Sequence, residues 1–281
     1  MTSRWPSPAK LNLFLHITGR REDGYHELQT VFQILKYGDE LQLTPIDDGD
    51  IHLECVGLNL QLEDNLIYKA ARLLQDSSGV RQGINIQLYK SIPMGGGLGG
   101  GSSNAATTLV ALNEIWQTGY TLEQLAEMGL TLGADVPVFV LGQSAWGEGV
   151  GEILTPLDLP HTWYLVIHPG CHVDTGKIFS SPDLTRNSSP ITIPEFLNGT
   201  GHNDCESVVF LEYPEVAEAC KWLGQWTRAK MTGTGSSVFG QFKSETEARN
   251  VLRQVPDKWK GFVSQGVNTS PLLDCITSQN N

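Results

Sequence analysis

The chain has 281 residues, 31 acidic and 19 basic side chains and a formal charge of −12. That balance argues against a nucleic-acid polymer as the main partner, because a phosphate backbone needs a basic footprint. With 40% apolar and 18% charged residues the chain is not disordered, and with no uninterrupted apolar run of about 18 residues it has no helix to span a membrane.

The first ten residues hold Arg4, two prolines and no apolar stretch, so a secretory signal is not expected. Residues 9–17 alternate as a strand, with Leu11, Leu13 and Leu15 on one face and Asn12, Phe14 and His16 on the other. Residues 26–56 read as further β-structure, with Asp48-Gly49 as a hairpin-type turn and Asp47, Asp48 and Asp50 as its solvated acids. Residues 64–76 form an amphipathic helix capped by Asp64, and residues 83–92 return to a strand. A glycine run then opens into the helical pattern Ala105, Ala106, Leu109, Val110 and Leu112. Thr121 and Gln124 make a capping box for a helix ending near Gly133.

Residues 136–140 read as a short buried strand, and residues 147–160 as a turn-rich connection between lobes. The second half begins with a strand at 163–168 and a loop at 181–194. It continues with a helix at 214–226 that starts on proline, and a strand–glycine turn–strand over 229–242. Ser244 and Glu247 suggest one more capping box, residues 261–267 a last strand, and residues 277–281 a frayed polar tail. Strands and helices without strict alternation point to an α+β fold. The five cysteines are odd in number, widely spaced and without a C-x-x-C pair, so a reducing, cytoplasmic location is expected.

The glycine run carries the most chemistry. Six of the 30 glycines lie between Gly95 and Gly101, within Pro93-Met94-Gly95-Gly96-Gly97-Leu98-Gly99-Gly100-Gly101-Ser102-Ser103. Glycines let backbone N–H groups turn toward one point, and the helix that follows adds its free N–H groups and dipole. The product is a cradle for a phosphate chain, with Ser102 and Ser103 as hydroxyl ligands for phosphate or Mg²⁺. Gly95, Gly97 and Gly100 also satisfy the dinucleotide pattern G-x-G-x-x-G, but the rest of that unit is missing. A Walker A loop would need a lysine before Ser102, and Gly101 stands there. A flexible linker would not lead directly into a patterned helix.

Residues 93–106 resemble the phosphate loop of the GHMP kinases. Pro6-Ser7-Pro8-Ala9-Lys10-Leu11-Asn12-Leu13 resembles the first motif of that superfamily, and Met231-Thr232-Gly233-Thr234-Gly235-Ser236-Ser237 its C-terminal glycine loop. The closer resemblance, through Arg21-Glu22-Asp23-Gly24-Tyr25-His26 and Leu132-Gly133-Ala134-Asp135-Val136-Pro137, is to the branch that phosphorylates a cytidyl methylerythritol. It implies a two-lobed fold with the active site in the cleft, the lobes covering 1–157 and 158–281. It also implies ATP with Mg²⁺ as cofactors and a monomer or weak homodimer. The implied reaction moves the γ-phosphate of ATP to the 2-hydroxyl of 4-(cytidine 5′-diphospho)-2-C-methyl-D-erythritol, a step of non-mevalonate isoprenoid precursor synthesis. Another small-alcohol kinase, of the homoserine or mevalonate type, is the alternative.

The resemblance assigns roles residue by residue. Asp135 is the base, against the plain alternative of an acid closing a turn before Pro137. Lys10 pairs with it, since a lysine among apolar strand neighbours needs a partner. Asn12 shares its face and either contacts substrate or supports the reacting groups from behind. Tyr25 and His26 form the cytidine site, Phe179 is a second stacking aromatic or a core ring, and Gly233 and Gly235 close on the substrate diphosphate. Asn65 reaches the adenine side. The loop departs from the shorter Gly-Leu-Ser-Ser-Ser type of many GHMP kinases, and no magnesium-binding glutamate is identifiable. His168 and His172 flank a Pro-Gly turn and lack further paired ligands for zinc. No Gly-x-Ser-x-Gly elbow is present, and the seven tryptophans are scattered.

Overall fold

The computed structural model describes residues 1–56 and 64–279. Its spine is a pair of long antiparallel strands, β1 (Ser3–Arg20) and β2 (His26–Ile46). β1 is buried on both faces from Ser7 to Ile17. Ala9, Leu11 and Leu13 face an apolar cluster, while Lys10 and Asn12 take the other face. Register shifts between Pro8 and Lys10 and between Asn12 and Leu15 bracket those two polar residues, and bulges of this kind re-aim side chains.

β3 (Ile51–Cys55), α1 (Leu66–Ser78) and β4 (Gly83–Tyr89) follow. β4 inserts between β2 and β3, antiparallel to the first and parallel to the second. The turn at Asp48-Gly49 therefore does not join two paired strands, contrary to the hairpin expectation. The helix cap is also displaced by one residue: Asn65, not Asp64, accepts the Ile67 N–H through its side chain.

Next come α2 (Gly100–Trp116), α3 (Leu122–Leu130) and α4 (Val136–Leu141). The Thr121–Gln124 capping box forms in full. α4 is a correction, since its residues read as a strand. A short apolar run does not reveal its period, but Pro137 sits in the first helical turn and Gly142 ends the helix at φ 62°. β5 (Ala145–Glu148) and β6 (Ile153–Pro156) form a hairpin against β2 where an irregular connection was expected.

The second half contains β7 (Trp163–His168), α5 (Thr175–Ser180), α6 (Ile193–Leu197), α7 (Glu206–Glu212) and α8 (Pro214–Leu223). β8 (Ala229–Met231), β9 (Val238–Phe242), α9 (Glu245–Leu252), β10 (Lys260–Val267) and α10 (Pro271–Gln279) complete it. Ser244 caps α9, but Glu247 accepts from the Lys243 N–H rather than returning the bond to Ser244, so only half of that box forms. The described strands follow the order β3-β4-β2-β10-β7-β9-β8, with β1 and β5 also on β2. β10 joins the halves, pairing with β7 along most of its length and with β2 at Gly266 and Val267.

The architecture is α+β with two lobes. One core gathers Leu41, Ile86, Ala106, Leu109 and Val138, the other Leu165, Val209, Ala219 and Val238. A third cluster of Leu11, Phe14, Tyr164 and Phe239 lies at their junction. α10 returns to the first lobe, where Leu272 is fully buried and Leu273 packs over Gly142.

Candidate active site

The glycine loop is held from behind by side chains and backbone. Gly95, Gly97 and Gly99 all have φ near +70°, a region open to glycine. A Cβ on Gly97 would stand 2.3 Å from the Thr232 carbonyl, and one on Gly99 would meet Phe139 at 2.8 Å. The first intrahelical bond of α2 runs from Ser103 N–H to Gly99 O, so the N–H groups of Gly100, Gly101 and Ser102 precede the ladder. Together with the positive end of a 17-residue helix they give an anion cradle. A cavity of about 560 Å³ runs along Pro93, Met94, Gly95, Gly96, Gly97, Leu98, Gly99, Gly100, Gly101 and Ser102, and Asn65 lines it too.

Ser103 differs from its neighbour. It is fully buried and accepts from the Ser7 hydroxyl at 2.9 Å, so it ties α2 to β1 and stands outside the cavity lining. Asn104 donates to the same Ser7 oxygen and to Asp39. Asp39 is the buried anchor of the loop's entry. It accepts from Lys90 Nζ at 2.5 Å and from the Ser91 and Ile92 N–H groups at 2.7 and 2.8 Å. Lys90 itself lines the cradle and approaches Gly100. Sequence reasoning missed this pair; the available signal was a lysine between a strand and the glycine run.

Lys10, Asn12 and Asp135 come together as expected. Lys10 Nζ lies 3.1 Å from Asp135 Oδ2 and donates to Asn12 Oδ1 at 2.5 Å. The lysine side chain is 4% exposed and the aspartate side chain 33%, so the carboxylate faces the cleft from a buried partner. Asp135 holds the N-cap position of α4 but makes no side-chain cap bond, which leaves its oxygens for Lys10 and for a reactant. Removing one member of such a pair leaves an uncompensated charge.

The C-terminal glycine loop zips onto the first. Ser237 N–H donates to Gly96 O at 3.1 Å, and the Thr232 hydroxyl donates to Gly97 O at 3.3 Å while accepting Asn12 N–H at 2.9 Å. Gly233 lies against Gly97 and Asn12, and Gly235 against Met231. Thr232 thus joins β1 and both loops, a role not read from the sequence.

On the acceptor side, Tyr25 is 64% exposed and lines a cavity of about 400 Å³ with Gly133 and Ala134, the two residues that precede Asp135 in the chain. His26 is buried and stacks on Phe179, with ring centroids 5.1 Å apart and planes at 26°. Phe179 sits on α5, which Asp174 caps, rather than on an open loop. Arg186, missed in the sequence, donates to His26 Nε2 at 3.1 Å and to the Phe179 and Ser181 carbonyls. Since guanidinium only donates, His26 Nε2 accepts and Nδ1 carries the proton. Burial, and then the Arg186 charge, hold the His26 pKa below its ordinary value, so the ring is neutral at pH 7.

A glycine cradle and a buried lysine–carboxylate pair in one cleft are the parts of a phosphotransferase. A family model of the GHMP kinases N terminal domain matches residues 65–143, and one of the GHMP kinases C terminal domain matches residues 184–261. The solved Methanococcus jannaschii mevalonate kinase shares the fold at 15% identity, with TM-score 0.70 over 95% of this chain and 98% of its own. The fold and both domains therefore define a GHMP kinase, which uses ATP on a small-molecule acceptor.

A Nitrosococcus oceani protein, 4-diphosphocytidyl-2-C-methyl-D-erythritol kinase, is 54% identical over 273 residues, covering 97% of each chain. A crystal structure of 4-(cytidine 5′-diphospho)-2C-methyl-D-erythritol kinase superposes with TM-score 0.83 at 33% identity, over 94% of this chain and 99% of that one. The chain belongs to the 4-diphosphocytidyl-2-C-methyl-D-erythritol kinase family.

Proposed function

We propose that this chain transfers the γ-phosphoryl group of ATP to the 2-hydroxyl of 4-(cytidine 5′-diphospho)-2-C-methyl-D-erythritol, in the cytoplasm, as a step toward isoprenoid precursors. The observation that carries the reading is the Lys10–Asp135 ion pair, whose lysine packs against Gly99 of the cradle and whose aspartate follows Gly133 and Ala134 of the Tyr25 cavity in the chain. The lobes divide near residue 157, with α10 folded back onto the first.

The nucleotide phosphates lie against the N–H groups of residues 95–102, with Lys90 adding positive charge at the start of α2. Asp135 accepts the proton of the acceptor hydroxyl. That oxygen bonds the γ-phosphorus as the bridging bond to the β-phosphate breaks, and ADP leaves. Lys10 keeps Asp135 ionised and offsets negative charge on the moving group. Asn12 holds the Lys10 ammonium in place.

The residues fit a Mg²⁺ ion carried by the nucleotide. A Cβ on Gly133 would stand 3.9 Å from the Ser102 hydroxyl, so an oxygen donor of the cradle lies beside the Gly133-Ala134-Asp135 corner. Ser102 is the protein group that would hold the ion, whose chemistry would be to neutralise phosphate charge. Ser103, bonded to Ser7, is not such a group.

On the acceptor side Tyr25 offers an exposed ring for the pyrimidine. The Phe179–His26 stack forms a second wall, where the Nδ1–H of a neutral His26 serves acceptor atoms on the base edge. This favours a cytidyl substrate over homoserine or mevalonate, which have no ring to stack. ADP release measured with all three acceptors decides the matter. Turnover with the cytidyl compound and none with the other two is the expected result, and the reverse pattern contradicts it.

A further inference from the structure

A second cavity lies outside the site just described. It encloses about 260 Å³ between α6 and the face of β7, β9 and β8, with Leu13 of β1 among its lining residues. Leu13 belongs to the apolar cluster with Ala9 and Leu11, on the opposite face of β1 from Lys10 and Asn12. The volume is near the lower end for small-molecule sites.

Two cations line it. Lys230 Nζ donates to Leu13 O at 2.9 Å, and Arg228 Nη1 donates to Gly199 O at 3.1 Å. Among the described residues neither forms an ion pair with a carboxylate, although acids outnumber bases by 31 to 19 in the chain. An ammonium has three donors, so two on Lys230 are left over. Burial, followed by the Arg228 charge, pushes the Lys230 pKa down to about 8. The Glu206 carboxylate opposes that shift from a distance while accepting the Met231 N–H, and it makes no direct ion pair with either cation. The Thr200 side chain adds a hydroxyl, whereas Thr227 donates its own to the Gln241 carbonyl, and Phe196 and Phe239 add apolar wall.

We infer that this cavity binds a small amphipathic anion, with a phosphate or carboxylate head between Lys230 and Arg228 and a short hydrocarbon body against Phe196, Phe239 and Leu13. The site does not depend on the kinase reading. It does sit next to the kinase machinery: Lys230 lies on β8 two residues before Thr232, which bonds Asn12 and Gly97. An occupant would therefore bear on the strand that carries the C-terminal glycine loop.

The test is calorimetric titration of the full chain, with the nucleotide cradle saturated by ADP so that phosphate cannot register there. Butyl phosphate and pentanoate serve as probes, with inorganic phosphate as the head alone. The inference predicts binding of at least one amphipathic probe, tighter than inorganic phosphate. It predicts a loss of at least about tenfold in affinity in Lys230→Gln and in Arg228→Gln, the scale of a lost charge-assisted bond. Arg228 is exposed, so its variant tests the site even where Lys230→Gln fails to fold. No heat from either amphipathic probe at millimolar concentration, or unchanged affinity in Arg228→Gln, overturns the inference.

Discussion

The two sides of the cleft are built by different means. The nucleotide side is built chiefly from one contiguous segment, residues 93–102, whose working groups are backbone N–H groups, with Asn65 and Lys90 at its margin. Its supporting side chains, Asp39, Ser7, Ser103 and Thr232, lie behind the loop. The acceptor side draws side chains from separate segments: Lys10 and Asn12 on β1, Tyr25 and His26 at the start of β2, Asp135 before α4, and Phe179 and Arg186 beyond β7. A phosphate chain is recognised by many equivalent dipoles, so backbone suffices. A particular alcohol on a particular base needs distinct side chains held at fixed distances.

The largest effect is expected where the two sides meet. Lys10→Met and Asp135→Asn should each lower kcat by at least about 100-fold, the usual scale for positioned proton transfer, with ATP affinity changed far less. Steady-state kinetics with both substrates varied checks this. An Asp135→Asn enzyme with near-wild-type kcat would remove the base from the account.

Next comes the cradle. Gly97→Val puts a branched side chain at φ +71° and 2.3 Å from a backbone carbonyl. Its KM for ATP should rise at least about tenfold, since strain of this kind costs about 1–3 kcal/mol before the clash is counted. An unchanged KM would mean that the loop's shape does not govern nucleotide binding. On the opposite side, Tyr25→Ala should raise the KM for the cytidyl substrate about tenfold and leave that for ATP unchanged, from the loss of about 1–3 kcal/mol of base stacking. Equal shifts for both substrates would erase the division between the two sides.

Acid should weaken the protein moderately. His16, His26 and His168 are all held below the ordinary histidine pKa, chiefly by burial. The folded state resists protons that the unfolded chain accepts. Their contribution is therefore complete above about 6.5 and is lost as pH falls from there through the folded values. The urea midpoint should be lower at pH 5.5 than at pH 7.5, and a higher midpoint at pH 5.5 contradicts this. The smallest catalytic effect is expected at Ser103. Ser103→Ala should leave turnover within about twofold and cost about 1 kcal/mol of stability, because it removes one buried hydrogen bond. A large loss of kcat would place Ser103 on the phosphates after all.

The same division explains what could be read before any coordinates. The cradle was legible because its chemistry lies in consecutive residues followed at once by a helix. The strand at 163–168 and the Thr121–Gln124 box were likewise local signals. α4 was misread because five apolar residues fit a buried strand as well as a helix, and only Pro137 hinted otherwise. Ser103 was grouped with Ser102, yet successive helical residues point about 100° apart, and only one faces the cavity. Lys90, Thr232 and Arg186 escaped notice because their partners Asp39, Asn12 and His26 lie 51, 220 and 160 residues away in the chain. Long-range pairing of this kind leaves no periodicity to detect.

The central claim is that Lys10 and Asp135 work as one unit at the junction of the two sides. The most direct measurement is kcat of the double variant Lys10→Met with Asp135→Asn, beside both single variants. Groups that act as a unit lose their effect together, so the double variant should turn over within about threefold of the slower single variant. Losses that multiply would show two independent contributions and contradict the account.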